Sequence, residues 1–201
     1  GSVITWGKQD LGGNSSVVAS KLASGVIKIF SSGWGGAFAA LKNDGSVVTW
    51  GYAESGGDSS SVSEKLTNGV VDIVGGCNAF AALKDDGSVV TWGDNSYGGN
   101  SSSVSPQLSS KVIKIYKTAK TNCMTGAFAA LKSDGSVITW GNSDGGGSSS
   151  TVSAHLNSGV VDISSTANAF AALKSDGSVI TWGSSYGGGD SSSVEAELTS
   201  G

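Results

Sequence analysis

AFAALKSDGSVITWG (residues 169–183) sets two short apolar runs on either side of an Asp-Gly pair. Its first six residues, AFAALK, also stand at Ala37, Ala79 and Ala127, and each time an Asp-Gly pair and a Trp-bearing run follow. In AFAAL both alternating faces are apolar, so the run reads as a strand buried on both sides within a stack of sheets. Its alanines let neighbouring sheets approach closely, and the Trp of the next run suits a wider gap farther out. Asp-Gly at 44–45, 86–87, 134–135 and 176–177 supplies the positive-φ residue of a tight hairpin between the two runs.

Aligning the Trp runs gives repeat starts at Gly1, Gly45, Gly87, Gly135 and Gly177, spaced by 44, 42, 48 and 42 residues. In each full unit a Val-rich run precedes AFAAL (GVIKIF, GVVDIV, KVIKIY, GVVDIS), and a thinner one follows the Trp (SVVASKL through SVEAEL). Runs of this length, rich in β-branched and aromatic residues, read as four strands per unit. Nearly identical units of about 42 residues with small inner and large outer side chains predict an all-β fold, a β-propeller of four-stranded blades. The whole of 1–201 is one repeat domain, with blades at 26–66, 70–108, 112–156 and 160–198. Residues 1–22 add the outer half of a further blade at the N-terminal end. An open arc, a small closed ring and a part of a larger ring all remain open, and the preferred reading is a piece of a longer repeat array or a chain that completes its ring with another.

The chain resembles the RCC1-like repeat family, including the bacterial propellers with shortened repeats that inhibit β-lactamases. The pattern runs through Val70 to Ile73, Gly75-Gly76, Ala79 to Leu83, Asp86-Gly87, Val89, Trp92-Gly93 and Gly98-Gly99. Two features depart from it. Phe38, Phe80, Phe128 and Phe170 replace or neighbour the family's usual His, and GGN, GGD or GGS replaces the Gly-Gln-Leu-Gly outer loop, of which Leu11-Gly12 keeps a trace. The resemblance implies a propeller and a precedent for protein binding by its rim; the departures argue against carrying over chromatin or exchange-factor roles. WD-type propellers share the period, but their GH and WD signatures are missing.

Composition narrows the function. Thirty-two Gly and frequent Ser suit a flexible linker, but apolar residues returning at fixed intervals do not. A formal charge of -4 with 14% charged residues gives no footing for nucleic-acid binding. No run approaches 18 consecutive apolar residues, so no membrane span is expected, and no signal segment precedes the first repeat. Cys77 and Cys123 carry no CxxC signature and read as two free thiols rather than a link between adjacent loops.

No catalytic, cofactor or metal set emerges. His155 is the only histidine and sits in the thin fourth run, a surface position. Asn14, Asp58, Asn100 and Asp190 occupy matching places, with Ser148 once instead; turn capping explains them better than calcium. Asn14 and Asn100 also satisfy the N-glycosylation pattern. What varies between units is the bend before AFAAL: GWGG, GGCN and STAN in three, and KTAKTNCMTG in the third. Equivalent loops of a propeller share one rim, and loops on a rigid scaffold carry recognition. The candidate partner-binding residues are therefore Trp34, Lys117, Lys120, Asn122 and Met124. Trp34 is either an anchor or packing across the central opening; Lys111, Lys114, Lys117 and Lys120 either form a positive field or keep a long loop soluble.

The favoured function is a non-enzymatic scaffold for protein–protein interaction, its partner another protein or further copies of itself. Alternatives are a structural, extracellular assembly subunit joining through open blade faces, and a carbohydrate-binding propeller, although Trp34 is not repeated. An extracellular or surface location is favoured.

Overall fold

The computed structural model describes residues 1–118 and 125–199. Four three-stranded antiparallel sheets follow one another, one per repeat. The first comprises β1 (Val26–Ser32), β2 (Ala37–Lys42) and β3 (Val47–Gly51). The second comprises β4 (Val70–Gly75), β5 (Ala79–Lys84) and β6 (Val89–Gly93). The third is β7 (Val112–Lys117), β8 (Ala127–Lys132) and β9 (Val137–Gly141). The fourth is β10 (Val160–Ser165), β11 (Ala169–Lys174) and β12 (Val179–Gly183). AFAALK is the central strand every time, as its two apolar faces require.

The Asp-Gly hairpins form as expected. Lys42 N–H donates to Ser46 O at 2.9 Å, Gly45 N–H donates to Lys42 O at 3.0 Å, and Gly45 has φ 74°. The Asp44 carboxylate accepts from both the backbone N–H and the hydroxyl of Ser46. Asp86, Asp134 and Asp176 repeat that arrangement.

The fourth run of each unit is not a strand. Ser60–Leu66, Ser102–Val104, Ser150–His155 and Ser192–Glu197 are 3₁₀ segments, and Ser16–Val18 leads into a helical turn at Ala19–Leu22. The reason is local: the side chains of Asn14, Asp58, Asn100 and Asp190 accept from the N–H two residues on, and the serines that follow favour turns and caps over strands. Leu22, Leu66, Leu108 and Leu156 are the buried residues of these segments. The four-stranded blade is thus corrected to three strands plus a 3₁₀ segment.

Successive sheets pack face to face. Ala37, Ala39 and Leu41 of the first lie against Ile73, Phe80, Ala82 and Trp92 of the second, and the next two junctions repeat this set. Within a sheet, Phe80 is the register partner of Trp92 and stacks on it with ring centroids 5.2 Å apart; the other three pairs are equivalent. Fully burying side chains of this size stabilises by about 1.5–3 kcal/mol each. Each Trp also reaches back one unit: the Trp92 indole N–H donates to Gly56 O at 3.0 Å, and Trp50, Trp140 and Trp182 do likewise to Gly12, Gly98 and Gly146. Gly56 sits at φ 96°, and a Cβ there would lie 2.6 Å from the Phe80 ring, so only glycine fits.

Candidate functional site

The antiparallel topology gives the stack two unlike ends. One carries the hairpins 42–46, 84–88, 132–136 and 174–178. The other carries the bends between the first and second strand of each sheet, with the short 3₁₀ turns Ala53–Ser55, Asn95–Tyr97, Ser143–Gly145 and Ser185–Gly187.

At the hairpin end the acidic groups serve their own turns. Asp44, Asp86, Asp134 and Asp176 are held below the ordinary carboxylate range, chiefly by the hydroxyl of the serine two residues on. Asn14, Asp58, Asn100 and Asp190 close equivalent turns around the outer 3₁₀ segments by accepting from the N–H two residues on, which confirms turn capping. Asp58 and Asp190 are lowered for that reason. His155 is exposed. Among the described residues no group of three or more His, Cys, Asp or Glu is placed to hold a metal ion, and no helix is long and apolar enough to cross a membrane.

At the bend end the loops are stitched to one another across the sheet junctions. Gly33 N–H donates to Gly76 O at 3.0 Å, the Lys117 ammonium donates to Gly75 O at 2.8 Å, and the Ser165 hydroxyl donates to Lys117 O at 2.7 Å. The Thr125 hydroxyl bonds the Asn168 side chain. Each bend also closes on itself or on a neighbouring turn: Thr118 with Ala127 and Thr125, Asn78 with Asp94 and Ser55, Thr166 with Ala169 and Gly187. This end is therefore a connected surface rather than four independent loops.

Trp34 projects from it 75% exposed, so it does not pack across an opening. Lys117 lies at this end, half-buried, with its ammonium on Gly75 O. Lys120, Asn122 and Met124 fall outside the described residues. Lys111, Lys114 and Lys117 do not form one field. Lys111 is at the hairpin end, 3.9 Å from Asp134, and Lys114 pairs with Asp162 at 3.3 Å over the ring of Tyr116, whose hydroxyl donates to the same carboxylate. That Tyr116 contact is the main cause of the lowered Asp162 pKa. Lys28 and Asp72 repeat the pairing at 3.1 Å across the first junction.

The free-thiol expectation is overturned: Cys77 is disulfide-bonded. It is fully buried, and the bend of the third sheet abuts it, since a Cβ built on Gly126 would lie 3.2 Å from Cys77 Cβ. Cys123, the other cysteine of the sequence, falls outside the described residues. Sequence reasoning also passed over Tyr52 and Tyr186, both exposed beside the bends. Counted from the Gly after each Trp, Tyr186 stands where the second unit has Ser96, one place before the position of Tyr97, which packs against the following sheet; a tyrosine within a Ser/Gly stretch was the available signal.

Comparisons with known proteins agree with this architecture. The model of the regulator of chromosome condensation (RCC1) repeat matches residues 70–98. No curated protein sequence matches the chain significantly. The structure is similar to that of Prp20p from Saccharomyces cerevisiae, described with its binding properties to Gsp1p and histones, at 19% identity and TM-score 0.50, covering 79% of this chain and 44% of that one. It also resembles yeast RCC1 (Prp20) bound to Kap60, at 20% identity and TM-score 0.49 over 79% and 43% of the two chains. Human WBSCR16 gives 19% identity and TM-score 0.44 over 79% and 47%. The chain thus spans less than half the length of these proteins. The Prp20p likeness supports an RCC1-type repeat fold at large and does not single out the β-lactamase-inhibiting branch.

Proposed function

We propose that this chain is a non-enzymatic interaction module, an arc of a β-propeller that presents its bend end to a protein partner. One observation carries the reading: the bends are the parts that differ between units, yet they are bonded into one surface from which an unsupported indole projects. Rigid presentation lowers the entropy lost on binding, and exposed Trp is a frequent interface anchor. Prp20p, of similar fold, binds proteins, which supports the same use here. The disulfide at Cys77 supports an oxidising, extracellular or surface setting.

The test is quantitative capture from an extract of the source organism on immobilised chain, comparing wild type with Trp34→Ala and with Asn43→Ala at the hairpin end. The reading expects a protein retained by wild type and Asn43→Ala and reduced at least about tenfold by Trp34→Ala. Equal retention by all three variants would reject it.

A further inference from the structure

Two asparagines, Asn14 and Asn100, are followed two residues on by a serine with no proline between, and no other asparagine of the chain is so followed by Ser or Thr. Both occupy one place in the repeat, the turn that leads into the outer 3₁₀ segment. Asp58, Ser148 and Asp190 fill that place in the other units.

The carboxamide oxygen of Asn14 accepts the N–H of Ser16 at 2.9 Å, and that of Asn100 accepts the N–H of Ser102 at 2.9 Å. Asp58 and Asp190 make the same bond, so a carboxylate closes this turn as well as an amide does. What the asparagines add is a carboxamide nitrogen, and among the described residues no group bonds it. Asn14, Ser16, Asn100 and Ser102 are all exposed. Each asparagine also stands at the rim of a groove along the third strand of a sheet. The groove beside β3 holds about 790 Å³ and is bordered by Ser59, Ser60 and Ser63. The groove beside β9 holds about 420 Å³ and is bordered by Ser103, Ser149 and Ser150. A bulky polar substituent on either nitrogen therefore meets open space and hydroxyls.

We propose that Asn14 and Asn100 are acceptor sites for N-linked oligosaccharide. The inference rests on the exported, oxidising setting proposed above from the disulfide at Cys77. The donor is a lipid-linked oligosaccharide pyrophosphate, and a membrane transferase supplies the base. The carboxamide nitrogen bonds to the anomeric carbon of the sugar as the bond from that carbon to the pyrophosphate oxygen breaks. The lipid pyrophosphate leaves, and the amide gives up one proton to the base. The turn spans only two residues, so it forms in the nascent chain without waiting for the sheets.

The first arm of the test uses the chain recovered from its source, with free thiols blocked before reduction. Peptide-N-glycosidase in heavy-oxygen water turns each glycan-bearing asparagine into a labelled aspartate, read by peptide mass spectrometry. The proposal expects label at Asn14 and Asn100, and label missing from either overturns it there. If both are unlabelled and Cys77 is in a disulfide, the acceptor sites fail while the exported setting stands. If Cys77 instead carries the blocking reagent, both fail. The second arm uses the full chain secreted by a eukaryotic cell line. Asn100→Asp keeps the turn, as Asp58 does, and should lose one glycan. Ser102→Ala keeps the asparagine and the backbone N–H and should lose it too. Asp58→Asn completes the same pattern with Ser60 and should gain one glycan. Circular dichroism of each variant establishes that the sheets persist. An unchanged glycan number in any of the three variants would overturn the assignment of the turn as the acceptor.

Discussion

The two ends of the stack are built from the same strands and have opposite characters. At the hairpin end LK-x-DGS closes four times, with the same Asp-to-Ser bonds and a left-handed glycine at φ 74° to 84°. At the bend end no two units agree, yet hydrogen bonds run through Gly33, Gly76, Lys117 and Ser165 from the first sheet to the fourth. Repetition marks what folding requires of every unit. Difference, bonded across the units, marks what folding leaves free to vary.

The largest expected effects fall on the shared framework between the ends. Phe80→Ala and Phe128→Ala, each removing a stacked and fully buried ring, should cost about 3–5 kcal/mol in urea unfolding. Phe38→Ala should cost clearly less, because its ring is only half-buried. Equal costs at all three would break the contrast between the first sheet and the inner ones, and unequal costs at Phe80 and Phe128 would break the equivalence of the inner units. Gly56→Ala follows, at about 1–2 kcal/mol for the left-handed backbone alone, with the Phe80 ring also forced to move. Loss of the Trp92 indole bond would show as a change in near-ultraviolet dichroism.

Acid sharpens the contrast from the hairpin side. Asp44, Asp86, Asp134 and Asp176 are lowered in the folded chain, first by the serine hydroxyls. A carboxylate lowered on folding contributes stability above its unfolded value, about 3.9, and loses it as pH falls through the folded value. Unfolding midpoints should therefore be flat from pH 7 to 5 and fall below about pH 4. Replacing the four Asp by Asn should flatten that decline. The smallest stability effect belongs to the bend end, where Trp34→Ala should stay within about 0.5 kcal/mol of wild type.

Much of the framework was legible because it rests on local chemistry repeated in register. AFAAL has no polar face, so it has to be central, and Asp-Gly fixes the hairpin beside it. The fourth run misled because Val favours strands one residue at a time, while the serines around it and the Asx turn at Asp58 favour a helical turn. The glycine pairs looked like mere punctuation; their role as acceptors for the next unit's Trp depends on packing across about 36 to 42 residues of chain, which no local pattern carries. The disulfide at Cys77 was missed for the same reason. At the bends, the isolation of Trp34 in glycine fits its exposure, whereas the bond holding Lys117 to Gly75 joins two units and has no sequence signature.

The most direct test of the division of labour places a photoreactive phenylalanine analogue at residue 34 in one variant and at residue 43 in another. Both are illuminated with the partner recovered by capture, and cross-link yields are measured by mass spectrometry. The account predicts partner adducts from residue 34 and background from residue 43; adducts from residue 43 with none from residue 34 would contradict it.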